Sequence, residues 1–151
     1  MMIRETLSTA MKEAMKAKDT RRLSTVRLIQ AAIKDRDIAN RGTGKDETSE
    51  DEILQILQKL VKQREESAKI YDEAGRGELA TQEREEIAVI KTFMPEQLSD
   101  EKVSEIIAGI IAEIGASGIK DMGKVMATLR ERYAGQMDFG KASGTIKAQL
   151  G

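Results

Sequence analysis

The absence of cysteine and histidine limits the chemistry available to this 151-residue chain. Thiol nucleophiles, disulfides, zinc fingers and imidazole acid–base or metal sites are excluded at once. Lysine, serine and carboxylates remain. Gly42-Thr43-Gly44-Lys45 hints at a phosphate loop, but Ala39 stands where the motif needs glycine and Asp46 where it needs Ser or Thr. Asp35 and Asp37 fail as a calcium loop for want of the glycine at its sixth position. The acidic run Asp46, Glu47, Glu50, Asp51 and Glu52 suits the positive end of a helix better than a catalytic pair. Ser143 has Lys141 and Lys147 close in sequence, yet no nucleophile elbow surrounds it. No catalytic residue, metal site or cofactor is therefore expected.

Charge offers a second route to function. Lys+Arg number 25 against 26 Asp+Glu, for a net charge of −1, so the chain lacks the overall basic signature of a nucleic-acid binder. Between Lys12 and Lys34, however, seven basic residues face only two acidic ones, and Arg21, Arg22 and Arg27 lie among them. Such a segment could neutralise phosphates without reading sequence. From residue 98 onward seven basic residues, including Lys120, Lys124 and Lys141, balance seven acidic ones. With aromatic residues at 3%, stacking on single-stranded bases is not expected.

The elements that position these groups read as helices throughout. Ile3, Leu7, Met11 and Met15 recur every four residues, and Leu23, Val26, Ile29 and Ile33 mark a second helix beginning after Asp19 or Thr20. The glycine-bearing stretch Arg41–Asp46 reads as an exposed, mobile loop. Ser49 with Glu52 forms a capping box for a third helix carrying Ile53, Ile56, Leu57, Leu60, Val61, Ala68 and Tyr71 and stopping at Gly75. A fourth helix is expected from about Thr81, ending at the only proline, Pro95. Three shorter helices follow, led by Ser99, Asp121 and Asp138 and stopped by glycines. The fold class is all-α: a bundle of about four helices over residues 1–97 and a three-helix domain over 98–151. No apolar run approaches a membrane span, and the charged N-terminus differs from a signal peptide, so a cytoplasmic protein without membrane or DNA partners is expected.

Several blocks carry a family resemblance. The stretch Lys62-Gln63-Arg64-Glu65-Glu66-Ser67 through Tyr71-Asp72-Glu73-Ala74-Gly75-Arg76-Gly77-Glu78-Leu79, then Phe93-Met94-Pro95-Glu96-Gln97-Leu98-Ser99, resembles the YqeY family. So do Asp121-Met122-Gly123-Lys124-Val125-Met126 and, after Gly135, Asp138-Phe139-Gly140-Lys141-Ala142-Ser143. Phe93-Met94 stands where Tyr-Leu is usual, and Phe139 where glycine is frequent. The resemblance implies two helical domains, the second similar to the tail of GatB, the tRNA-activating subunit of the glutamine-dependent aspartyl/glutamyl-tRNA amidotransferase. It also implies the homology label of a carbon–nitrogen ligase with glutamine as amido donor, although no kinase or amidase motif is present. On this basis a non-catalytic tRNA-binding or amidotransferase-related protein is expected, with Lys120, Lys124, Lys141, Arg21, Arg22 and Arg27 as RNA contacts. The alternative is a protein–protein adaptor with no RNA role.

Overall fold

The computed structural model describes residues 2–44 and 47–151. Among these residues it contains seven α-helices, one short 3-10 turn and no strand. The helices are α1 (Ile3–Ala17), α2 (Thr20–Gly42), α3 (Glu50–Glu73), α4 (Gly77–Lys91), α5 (Asp100–Ile114), α6 (Met122–Tyr133) and α7 (Phe139–Leu150). Lys45 and Asp46, and with them part of the expected loop, lie outside the described residues. The chain divides into two compact units, Met1–Pro95 and Glu96–Gly151.

Local chemistry sets most boundaries of the N-terminal unit. The Asp19 carboxylate accepts from the Arg22 amide and starts α2. Ser49 and Glu52 close the capping box of α3, which ends where Gly75 turns left-handed at φ 73°. α4 begins at Gly77, four residues before the expected Thr81, and the Thr81 hydroxyl bonds back to the Gly77 carbonyl. The core of α1 also departs from the expected stripe: Ile3 and Leu7 are buried, but Ala10 and Ala14 follow them, and Met15 is 51% exposed. A four-residue repeat advances about 40° per step on a 3.6-residue helix, so the stripe leaves the core within three steps.

Ion pairs fix the course of α3 against its neighbours. Arg36, late in α2, meets Glu52 at 3.0 Å, whereas Arg21, at the start of α2, reaches Glu86 at 3.6 Å. Arg64 of α3 also holds Glu86, at 2.9 Å. α2 and α3 therefore run antiparallel, with the start of α2 level with residue 64. Residues 65–84 continue past that level as the far end of the α3–α4 hairpin.

The C-terminal unit is closed by an apolar cluster. Ile107, Val125, Leu129 and Ile146 are completely or almost completely buried, joined by Val103, Ile110, Met137 and Ala142. Ser99 and Asp138 cap α5 and α7 through their side chains. Asp121 does not cap α6: it accepts from the Ser117 amide at 2.8 Å, and the 3-10 turn Ile119–Asp121 precedes the helix.

Candidate interaction surface

The hairpin tip is built largely from the block Lys62–Leu79. Ala68 and Ala80 are buried, and their small side chains let α3 and α4 approach closely. Asp72 and Arg84 pair across the two helices, an arrangement that holds the Asp72 carboxyl below its ordinary pKa. These residues, with Glu65, Lys69 and Ile87, line a shallow groove of about 380 Å³. On the outer side of α3, Ile70 is 63% exposed. Among the described residues, no ion pair ties residues 65–84 to α1 or α2. The tip is thus an apolar point on a charged, projecting hairpin.

A polar clasp stands at the other end of this unit. Arg4 grips Asp37 through two nitrogens, at 2.7 and 3.2 Å, and Asp37 also accepts from the Thr48 amide at 2.9 Å. Those bonds, the one from Arg4 foremost, hold the Asp37 carboxyl far below the usual carboxylate range. The Glu50 carboxylate accepts from the Ile3 amide at 3.0 Å and satisfies a helix start for which Met2 provides no side-chain cap. With Asp37 turned inward, its neighbour Ile38 faces solvent and is 56% exposed.

The six basic residues singled out in the sequence take different positions. Arg21 pairs with Glu85 and Glu86, and the Arg22 guanidinium lies over the Phe93 ring at 5.6 Å. Arg27 is exposed on α2. Lys120 is exposed in the 3-10 turn, Lys124 sits 3.9 Å from the Asp121 carboxylate, and Lys141 is exposed in the first turn of α7. Asp121 stands between Lys120 and Lys124, while Lys141 belongs to a different helix. Among the described residues, no group of three potential metal ligands comes together, and no helix is long and apolar enough to cross a membrane.

The Yqey-like protein family model matches residues 4–150. The chain belongs to the YqeY family. It is 31% identical over 148 residues to "Altered inheritance of mitochondria protein 41, mitochondrial" of Clavispora lusitaniae, covering 95% of this chain and 82% of that one. The protein of the same name from Vanderwaltozyma polyspora is 29% identical over 119 residues, covering 74% and 62% of the two chains. That from Lachancea thermotolerans is 27% identical over 146 residues, covering 93% and 74%. This chain therefore spans less than two thirds of the Vanderwaltozyma relative.

Two expectations are corrected by these relatives. The tRNA-binding or amidotransferase-related function does not stand, because the relatives are named for the inheritance of mitochondria and not for tRNA amidation. The basic segment of α2 that invited the RNA reading has local partners as well: Arg21 is offset by two glutamates, and Arg22 packs on an aromatic ring. The cytoplasmic placement is likewise withdrawn, since the same relatives are named as mitochondrial proteins. Membership of the YqeY family is thus separate from the GatB function that the resemblance suggested.

Ile38 and Ile70 belong to neither apolar stripe of their helices, and Glu66 and Glu73 stand out only as members of the family block. A signal was available: Ile70 follows Ala68 by two and precedes Tyr71 by one, so it cannot share their helix face.

Proposed function

We propose that this chain is a protein-binding helical module that performs the molecular task of its mitochondrial-inheritance relatives, with the α3–α4 hairpin tip as its docking surface. One observation carries this reading: Ile70 is 63% exposed on the outer side of a projecting hairpin. A large apolar side chain held in water gains free energy when a partner covers it, about 25 cal/mol per Å² of apolar surface. The charged residues around it suit the rim of such a contact. The N- and C-terminal units are separate domains in this reading, and the 96–151 unit is a GatB-tail-type three-helix domain kept for its architecture.

The test places a photo-crosslinking residue at position 70 in cells expressing the protein, with exposed Glu5 as the control position. Protein crosslinks that resist nuclease and depend on position 70 are expected, and Ile70→Asp should lower competition for them without changing the melting temperature. Equal crosslinking from both positions would end the reading. Expressing 96–151 alone tests the domain proposal, with a cooperative helical melt as the expected result.

A further inference from the structure

Ile38 and Ile70 are the two most exposed large hydrophobic residues of the described helices, at 56% and 63%. Each sits between two like charges with the same spacing. Lys34 precedes Ile38 by four residues and Arg41 follows it by three; Glu66 precedes Ile70 by four and Glu73 follows it by three. Positions four before and three after lie on the same helix face; exposed Asp35, three residues before Ile38, borders that isoleucine on its other side, where Ile70 has the uncharged Ser67 and Ala74. All four charged residues are exposed, and none joins an ion pair among the described residues. Arg27, seven residues before Lys34, extends the basic row. One surface is therefore apolar with a basic row of three residues against a single acidic one, and the other is apolar with acidic flanks.

The two surfaces cannot meet within one chain. Ile38 lies two residues beyond Arg36, which holds Glu52. Ile70 is 18 residues further along the same continuous α3, about 27 Å at 1.5 Å per residue. We infer that the occupant of the hairpin tip is a second copy of this chain: the Glu66–Ile70–Glu73 face of one copy docks on the Lys34–Ile38–Arg41 face of another, reciprocally, in an antiparallel dimer. This rests on the docking role proposed for the tip and names its partner. Reciprocity makes the contact twice and closes it by two-fold symmetry. Opposite charges around each apolar centre set the register and favour the encounter.

The experiment measures the mass of the full chain in solution by light scattering, at low salt and up to about 0.5 mM protein, a range suited to a small interface. A concentration-dependent rise from 16.7 kDa to twice that value is expected. Raising NaCl from about 0.05 to 0.5 M should weaken dissociation constants about tenfold or more, because the flanking charges are exposed to screening. The variants Lys34→Glu/Arg41→Glu and Glu66→Lys/Glu73→Lys should each be monomeric. Mixed in equal amounts they should recover the dimer mass, since every contact then again joins opposite charges. If circular dichroism finds either charge variant unfolded, Ile38→Gln and Ile70→Gln replace the pair and should each lose the dimer.

A wild-type mass fixed at the monomer, a mass climbing steadily past the dimer, or variants that dimerise like wild type would overturn the inference. So would a mixture that stays monomeric. The docking reading fails separately: a monomer whose position 70 still crosslinks a foreign protein ends only the self-association.

Discussion

The two units of this protein solve the same problem with different materials. In the N-terminal unit, side chains far apart in sequence are tied by charge: Arg4 to Asp37, Arg36 to Glu52, Arg64 to Glu86 and Arg21 to Glu85 and Glu86. In the C-terminal unit the apolar cluster is joined by local caps at Ser99 and Asp138 and by neutral long-range bonds, from the Gln97 amide to the Gly135 carbonyl and from the Gln149 amide to Ser104. The one strong charge contact there, Arg132 with Glu113, lies on the surface. The comparison teaches that a short helical unit can be specified by caps and a small aliphatic core. Long helices that must keep a fixed register gain more from directional pairs, because a bidentate bond fixes orientation as well as distance.

The largest effect is expected where the smaller core loses volume. Leu129 is fully buried, so Leu129→Ala should destabilise the C-terminal unit by about 2–5 kcal/mol. Amide exchange should rise across α5, α6 and α7, while the amides of α3 keep their protection. Uniform loss of protection along the whole chain would break the distinction between the units.

Next comes the clasp. Asp37→Asn should cost the N-terminal unit about 1–3 kcal/mol, because the Arg4 guanidinium loses its anion and a charge-assisted bond becomes a neutral one. Its pH signature is specific. The Asp37 carboxyl is held below its ordinary value in the fold, mainly by Arg4 and then by Thr48. Its stabilising contribution is therefore complete above the unfolded pKa, near 3.8, and is lost as pH falls below that value. Chemical denaturation at pH 6 and pH 3 should bring wild type and Asp37→Asn closer together at the lower pH; a gap that widens on acidification contradicts the clasp.

Ser99→Ala removes the oxygen that accepts from the Lys102 amide at 3.1 Å. It should cost about 1 kcal/mol, read as a lower denaturation midpoint for the C-terminal unit with an unchanged slope. The smallest effect belongs to Arg132→Ala. Both partners of that pair are half exposed, so the melting temperature should stay within experimental error, and any shift should vanish in high salt.

Much of the fold was legible because helix ends are written locally. Ser49, Ser99 and Asp138 are caps, and Gly75, Gly115 and Gly135 take positive φ where helices stop. Less legible was anything that depends on distant partners. Arg4 and Asp37 lie 33 residues apart, and no periodicity links them. Met137 is buried in a short connection with no helical pattern to reveal it. The start of α4 was misplaced because Gly77 reads as a breaker, although glycine is tolerated in a first turn, where amides lack helical partners anyway. The candidate surface was legible only in part: Ile70 lay inside the family block, but its exposure depends on where α2 begins.

The bond from the Ile3 amide to Glu50 has a consequence for the order of events at the ribosome. It closes across 47 residues, so the first turn of α1 has no side-chain acceptor until the first turn of α3 has been synthesised and has docked. Until then that helix start lacks this acceptor, and the loop that must close to supply it has an entropic cost that grows slowly with its length. The first turn of α1, made before α2 and α3, is thus among the last parts of its unit to settle.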